Sequence, residues 1–463
     1  MERILFARLE IWGVCLIALV AMAGGGFWAW RMLSHDAFPM PQIREVREAV
    51  RGIDGDDRAL IDRLVETEGF DPLAFTATQE GTLVADEDLV PVTLADRFRG
   101  ISPHIDSMRV LPAEGPRRFF VVYGSFVWSD QEANLGVALL DSAGELHRAW
   151  PIKVEGAEYE GPHIGLALTP DGGIVTNTHG IMTRQDWCGG EVWRALWEPT
   201  GETRARYAGG PGGYDWHHDI LYRDGVLYSF RGPAVSWVDA ESGALLGEIS
   251  YVEMMQWSWA NGTAFFDARH RPFPPEEFSP ETERRLLHED GFHHNKVDVL
   301  TAEMAADYPM FEAGDMLMSV RDLNLVAVLR PSEQRVVWWR YGLASRPHDA
   351  TFIDGGIEVF NNAPYSLPGR PTIRRLDLET QSFEDIFALS DWNMRMRFRG
   401  NFERVGDRLL TSDTMKGRMI AGRTDGTLDM VFENGFRDRQ LWVLNATEIS
   451  GEQFAEFEGT CDG

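Results

Sequence analysis

Short turn sequences that combine aspartate with glycine recur along most of this chain, and they constrain its fold more than any other feature. Each turn lies between short apolar runs of β-type sequence. The clearest examples are Asp141-Ser142-Ala143-Gly144, Pro170-Asp171-Gly172-Gly173, Arg223-Asp224-Gly225, Asp354-Gly355-Gly356 and Thr424-Asp425-Gly426. Asp-Gly pairs supply the positive φ angles that tight hairpins need. They return on a scale of about 40–55 residues, which is typical of the blades of a β-propeller.

Six repeating units can be marked, and no long Pro/Ser linker divides them. They cover residues 116–155, 160–203, 214–250, 293–340, 345–385 and 398–435. We therefore predict an all-β, six-bladed β-propeller over residues 100–445, followed by a C-terminal tail over 446–463. The irregular stretch 251–290 contains Ser279-Pro280-Glu281, which has the cap, proline and acid of a helix start. It predicts a helical insertion.

The N-terminal part of the chain has a different character. Residues 11–30 are uncharged and strongly apolar, about the 20 residues that a helix needs to cross a bilayer. We predict a cytoplasmic tail over 1–10, a transmembrane anchor over 11–32 and a short helical stalk over 36–98. A cleaved signal peptide ending at Ala21-Met22-Ala23 is the alternative. With an uncleaved anchor, the protein is expected to be a single-pass inner-membrane protein with its propeller in the periplasm.

Charge and cysteine content limit the classes of partner and scaffold. The chain has 44 Lys and Arg against 72 Asp and Glu, a formal net charge of −28, which argues against nucleic-acid binding. Three cysteines are too few for a scaffold built on disulfides. Cys15 lies in the apolar run, which leaves Cys188 and Cys461 as a pair that could join in an oxidising periplasm.

Four short phrases place histidine just before an apolar strand. They are Gly161-Pro162-His163-Ile164, Trp216-His217-His218-Asp219, Phe292-His293-His294-Asn295 and Pro347-His348-Asp349-Ala350. A repeating β-unit would bring such imidazoles to one rim or channel. Arg321 ends another predicted strand, and the fixed fork of a guanidinium suits bidentate binding of an oxyanion. The pattern therefore indicates a polar reaction centre.

Several of these phrases, taken together, carry a resemblance to a known family. They are His217-His218-Asp219-Ile220, His293-x-Asn295-x-Val297-Asp298, Met318-Ser319-Val320-Arg321, Pro347-His348-Asp349-Ala350-Thr351-Phe352 and the stretch from Gly400-Asn401-Phe402-Glu403-Arg404 to Gly417-Arg418-Met419-Ile420. Over roughly residues 100–440 the chain resembles the bacterial arylsulfotransferases. The resemblance implies a six-bladed propeller whose central channel holds three histidines and one arginine. It also implies sulfuryl transfer from an aryl sulfate to a phenol without a nucleotide sulfate donor.

The same resemblance implies a role for individual residues. His348 is expected to be the nucleophile that forms a transient sulfohistidine, Arg321 and His293 to hold the sulfuryl oxygens, and His218 to assist binding or proton transfer. Four further residues are expected to bind substrate: His217, His294, Asn295 and Trp216. Which member of each adjacent histidine pair faces the channel stays open. No cofactor and no metal are expected, because imidazoles and a guanidinium supply the charge and the proton transfer.

Two other functions stay open at this point. A non-catalytic propeller, acting as an envelope scaffold or a binding module, is favoured by the anchor and by the acidic residues between His293 and Arg321. A metal-dependent enzyme would use His217, His218, Asp219, His293 and His294 as ligands, although no His-Glu-x-x-His spacing is present. The identity of the phenols and the oligomeric state are not set by the sequence.

Overall fold

A computed structural model gives the architecture of the larger of two compact units, residues 82–463; the other is residues 1–81. The described residues are 83–128, 133–152, 162–178, 181–195, 216–231, 234–260, 293–362, 371–394, 399–437 and 439–462. The predicted tail, the anchor and most of the stalk therefore lie outside the described residues. None of the helices in the described ranges is long and apolar enough to span a membrane.

The described chain is almost entirely β-structure. In chain order its strands are β1 (Val90–Pro91), β2 (Thr93–Gly100), β3 (Arg109–Leu111), β4 (Phe119–Val127), β5 (Ala133–Asp141), β6 (Glu145–Pro151), β7 (Pro162–Leu168), β8 (Ile174–Thr178), β9 (Ile181–Gln185), β10 (Glu191–Ala195), β11 (Trp216–Arg223), β12 (Val226–Arg231), β13 (Ala234–Asp239), β14 (Leu245–Ser250), β15 (His294–Val299), β16 (Met316–Val320), β17 (Leu325–Arg330), β18 (Arg335–Tyr341), β19 (His348–Ile353), β20 (Gly356–Asn361), β21 (Thr372–Leu376), β22 (Phe383–Ala388), β23 (Phe402–Val405), β24 (Arg408–Asp413), β25 (Arg418–Arg423), β26 (Leu428–Glu433), β27 (Gly435–Phe436), β28 (Arg439–Gln440) and β29 (Val443–Ile449). Its two α-helices are α1 (Tyr251–Ala260) and α2 (Gly451–Gly459). Short 3-10 helices cover Asp86–Asp88, Met304–Asp307, Arg321–Leu323, Pro331–Glu333, Leu389–Trp392, Thr414–Lys416 and Thr460–Asp462.

Six antiparallel sheets form the six blades of a propeller, as the recurring turns predict. Blade I contains β4, β5 and β6, and the next five blades are β7–β10, β11–β14, β15–β18, β19–β22 and β23–β26. The innermost strands β7, β11, β15 and β19 lie against one another in that order. A channel therefore runs along the inner strands, and the entry of each inner strand lies at one end of it.

The ring closes through the strand β29, which pairs with β4 as the innermost strand of blade I. This pairing joins two segments about 330 residues apart, so the first blade is complete only when the last strand has formed. Asn445 opposes Tyr123 and Ile449 opposes Phe119 in the shared ladder. Part of the range predicted as a C-terminal tail is thus a strand of the propeller.

The helix α2 follows β29 and is fastened to blades I and II. Ser450 and Gln453 form a reciprocal capping box at its start, which gives partners to the N–H groups of both residues. The Glu458 carboxylate accepts hydrogen bonds from Arg148 (2.6 Å) and Trp187 (3.0 Å). A disulfide joins Cys188 to Cys461, as the cysteine count allowed.

The N-terminal boundary of the propeller also differs from the predicted one. Residues 93–100, mostly assigned to the helical stalk, form β2, which pairs in parallel with the outer strand β6. Strand β3 adds to the outer edge of blade VI beside β26. These additions cover edges whose amide and carbonyl groups would otherwise be unpaired, which explains why the segment is extended. In the range 251–290 the described part is α1, and the predicted helix start at Ser279 lies outside the described residues.

The hydrophobic core is divided among the interfaces between neighbouring blades. Phe230 of blade III, for example, packs in one cluster with Val297 and Met318 of blade IV. Residues that alternate along each strand supply the two faces that such packing needs. The blades are therefore packed together by apolar contacts, while the channel between their inner strands is lined by both polar and apolar residues.

Candidate active site

Three neighbouring inner strands break their regular pairing at the point where each enters the channel. The register shifts between His217 and Leu221 in β11, between His294 and Lys296 in β15, and between His348 and Thr351 in β19. A β-bulge of this kind interrupts the alternation of side chains and re-aims them. The backbone is strained there, because His218, His293 and Asp349 have φ angles of 61°, 46° and 46°.

Side-chain amides from one blade hold the strained backbone of the next. Asn177 Nδ2 donates to the His218 carbonyl at 2.6 Å, Asn295 Nδ2 to the Pro347 carbonyl at 2.9 Å, and Asn362 Nδ2 to the Arg399 carbonyl at 2.6 Å. Each acceptor lies at the entry of a neighbouring blade. The asparagines thus give these carbonyls the partners that the interrupted ladder does not supply.

His218 and His293 face each other across blades III and IV. Their Nε2 atoms are 3.0 Å apart, and the ring planes are nearly perpendicular at 86°. Two imidazole nitrogens at this distance need one proton between them, because one must donate and the other must accept. The pair can therefore release or take up a proton at a defined position.

His348 of blade V is enclosed by protein, with 2% of its surface exposed. Burial, and next the positive charge of Arg321, lower the pKa of the imidazole to about 3. The ring is therefore neutral near pH 7. Its Nδ1 donates to the Arg346 carbonyl at 3.0 Å, which leaves the lone pair on Nε2. His348 is thus a neutral imidazole whose Nε2 carries the lone pair that a nucleophile needs, with Asn362 as a further side-chain neighbour.

Arg321 is brought to this group by blade IV. It begins the 3-10 turn that follows β16, and its backbone N–H donates to the His293 carbonyl at 3.1 Å. Arg321 and His293 are both near enough to His348 to influence the pKa of its ring, so the three side chains share one small region. The structure brings together His218, His293, Arg321 and His348, which we call the histidine cluster.

The four predicted substrate-binding residues have different positions. Asn295 is buried and holds Pro347, the residue before His348. The Trp216 ring is 1% exposed and packs in the core between blades II and III. The His294 ring stacks on Tyr251 at 4.1 Å, within the core of blades III and IV. Both rings are thus directed into blade interfaces, and the His217 side chain lies outside the described residues.

An ionic group next to the histidine cluster was not anticipated as part of the site. Lys296 Nζ lies 2.5 Å from Asp219 Oδ2 and 2.9 Å from Asp349 Oδ1. Burial raises the pKa of Asp219 to about 6, against the opposing effect of Lys296, and the two carboxylates raise the pKa of Lys296. The sequence does contain an indication of this ionic group, because Asp219 and Asp349 directly follow His218 and His348.

A cavity of about 500 Å³ extends along the channel and is bordered by this ionic group. Its walls also include Phe402 and Glu403 of blade VI. The Thr447 hydroxyl donates to the Glu403 carboxylate at 3.1 Å. The channel therefore has room for small molecules or water beside the ionic group.

Comparisons with known proteins agree with part of this description. The family model Arylsulfotransferase (ASST) matches residues 167–435, a range that includes the histidine cluster. No curated protein matches the chain. A protein of unknown function from Bacteroides caccae is 14% identical, covers 72% of this chain and 99% of its own, and has a TM-score of 0.45. BamB from Moraxella catarrhalis is 12% identical, with coverages of 76% and 99% and a TM-score of 0.32. Likenesses at this level do not bear on activity.

Proposed function

The chain belongs to the arylsulfotransferase family, and from this premise we propose that it transfers a sulfuryl group from an aryl sulfate to a phenol through a covalent intermediate on His348. Family membership suggests aryl sulfates and phenols as substrates and a reaction independent of a nucleotide sulfate donor. The observation that carries the covalent step is the state of His348, a neutral imidazole whose Nδ1 is bonded to the Arg346 carbonyl and which lies beside a guanidinium.

In the first half-reaction, His348 Nε2 attacks the sulfur of the aryl sulfate. An N–S bond forms as the bond between sulfur and the aryl oxygen breaks, and the electron pair leaves on the phenolate. Arg321 stabilises the charge on the sulfuryl oxygens, and a fixed charge in an enclosed site does so more strongly than water. The phenolate takes a proton from the His218–His293 pair, which enters this step with one ring as an imidazolium and leaves it as two neutral imidazoles.

The second half-reaction reverses these steps with a new phenol. The acceptor oxygen attacks the sulfur, its proton passes to the histidine pair, and the N–S bond breaks to restore His348. Protons balance over the two half-reactions, because the histidine pair gives one proton to the leaving group and regains one from the acceptor. This sequence predicts ping-pong kinetics.

We further propose that the propeller works in the periplasm, attached to the inner membrane by residues 11–32. The Cys188–Cys461 disulfide supports an oxidising compartment, because disulfides are rare in reducing cytosol. The apolar run in the sequence supports the anchor. Membrane fractionation before and after alkaline extraction tests this placement, and a protein released by alkali would contradict the anchor.

Intact-mass spectrometry of the purified full-length chain tests the covalent step. The protein is mixed briefly with 4-nitrophenyl sulfate, with His348→Ala and His104→Ala alongside. His104 is a half-buried histidine whose ring lies 5.4 Å from that of Phe436, tilted by 49°, outside the cluster. We expect a sulfuryl mass on the wild-type protein and on His104→Ala, discharged by added phenol, and none on His348→Ala.

Two results would redirect the assignment. An adduct retained by His348→Ala would place the nucleophile elsewhere. No adduct and no nitrophenol release across several donors would favour a non-catalytic binding or scaffold role, and elemental analysis of the same sample checks the metal-dependent alternative.

A further inference from the structure

The ionic group formed by Lys296, Asp219 and Asp349 connects three blades at the level of the histidine cluster. Lys296 belongs to blade IV, Asp219 to blade III and Asp349 to blade V. Its ammonium contacts both carboxylates, at 2.5 and 2.9 Å.

Each partner of Lys296 is next in sequence to a residue of the cluster. Asp219 follows His218, and Asp349 follows His348. Since the register shift lies at the same place in each strand, the position of the carboxylate and the position of the histidine are set by one short, bulged segment. A contact that fixes the aspartate therefore fixes the direction of the histidine.

Asp349 and Asp219 are also held on their other sides. Asp349 Oδ2 accepts from the Phe402 N–H of blade VI at 2.5 Å, and the Asp219 carbonyl accepts from the Ser229 hydroxyl at 2.8 Å. Lys296 thus completes a chain of contacts from blade III through blade V to blade VI. The neighbouring Asn295 adds a second link to blade V through Pro347.

The energetics favour a geometric role over a stabilising one. Removing charges from water costs several kcal/mol per ion by order of magnitude, and the attraction within a buried ionic group often only offsets this. The side chains of Asp219 and Asp349 are 9% and 5% exposed, so this cost applies here. What such a group does supply is a short, directional connection between separate elements.

We propose that Lys296 is a positioning residue, which fixes the His218–His293 pair relative to His348 through Asp219 and Asp349. The proposal rests on the proposed function, since it assigns the nucleophile to His348 and the proton to the pair. Transfer requires His348 to contact the sulfur, and the His218–His293 pair to contact the phenolate oxygen, of the same substrate. A displacement of about 1 Å between them is enough to reduce the rate about 100-fold.

Lys296→Met tests the proposal, because it keeps the length of the side chain and removes the ammonium. We expect kcat for sulfuryl transfer from 4-nitrophenyl sulfate to fall about 100-fold, with KM changed less than about threefold. The matched control is Arg330→Met. Arg330 is equally enclosed in blade IV and binds buried Asp315 at 2.8 Å, away from the cluster. It should show a comparable loss of melting temperature and a wild-type kcat.

A second variant and a second measurement keep the test decisive. Asp219→Asn removes the charge of one partner of Lys296 without a change of size and so weakens this contact, and we expect a loss of about tenfold in kcat. Asp219→Asn replaces Lys296→Met as the test if Lys296→Met does not fold. Independently of turnover, the rate at which diethyl pyrocarbonate modifies His348 is measured by peptide mass mapping. That rate should change at least about threefold in Lys296→Met and stay constant in Arg330→Met.

The outcomes separate this proposal from the proposed function. Wild-type protein without turnover and without a sulfuryl adduct would contradict sulfuryl transfer. In that case the labelling rates of His348, without any kinetic data, would decide whether Lys296 positions it. If the wild-type protein is active and Lys296→Met leaves both kcat and the labelling rate unchanged, the positioning role is overturned. If Lys296→Met does not fold, an unchanged kcat in Asp219→Asn overturns it instead.

Discussion

The entry of the channel and the closure of the ring are built on opposite principles. At the entry, three successive strands lose their register, carry positive φ angles and depend on side-chain contacts from the next blade. At the closure, β29 pairs with β4 without a shift from Asn445 to Ile449, after one register shift next to Val443, and the chain beyond helix α2 is held by a disulfide. The positive φ angles of the histidine phrases lie where chemistry is proposed, and a long ladder and a cross-link lie where the ring must hold. Changes in the two regions should therefore affect different properties.

The largest effect is expected from Arg321→Ala at the entry. The loss of the guanidinium removes the fixed charge that faces the sulfuryl oxygens, and kcat/KM should fall about 10²–10³-fold. The melting temperature should stay within about 3 °C of wild type. Steady-state kinetics and a thermal melt of the same preparation check both values. A large fall in melting temperature with little loss of activity would show that the entry, like the closure, serves mainly stability.

The next effect concerns the closure. Replacing both Cys188 and Cys461 by serine removes the cross-link between blade II and the end of α2. Stability should fall by about 2–4 kcal/mol, because the unfolded chain regains the freedom that the cross-link restricts. The kcat of the folded protein should stay within twofold. Denaturant unfolding followed by assays below the transition measures both, and equal stability of the two proteins would contradict a fastening role.

The last prediction is a pH dependence of stability at the entry. The folded protein keeps His348 neutral with a pKa of about 3, whereas the unfolded chain protonates it near pH 6.5. The stability that this residue contributes is therefore complete above about pH 6.5 and is lost as the pH falls towards 3. Melting temperatures of His348→Gln should decrease less steeply than those of wild type between pH 6.5 and 4, with His104→Gln as the control. Parallel curves would contradict the lowered pKa.

Local patterns predicted the repeating fold better than its ends. Turns such as Asp224-Gly225 mark hairpins because their conformation is set by neighbouring residues. The role of β29 depends on a partner strand about 330 residues away, and no pattern within Val443–Ile449 indicates which strand that is. For the same reason β2 could not be distinguished from the end of a stalk. The predicted membrane anchor remains a prediction.

The candidate site divides in a similar way. The phrases around His218, His293 and His348 were sufficient to group these residues, because equivalent positions of repeated units meet in space. Trp216 and His294 could not be assigned a direction, since a bulge changes which side chains face the channel. Lys296 was missed because a lysine in a strand resembles a solvent-facing charge until its two long-range partners are known.

The late pairing of β29 with β4 has a consequence for biosynthesis. The ribosome adds roughly 5–20 residues per second, so about 330 residues separate the two strands by roughly 15–65 s. Throughout that interval the edge of β4, whose sequence Phe119-Phe120-Val121-Val122 is fully apolar, awaits its partner. An unpaired apolar edge is a template for pairing with other chains. The nascent protein therefore needs protection during a defined window, which ends when the last strand arrives and the ring closes.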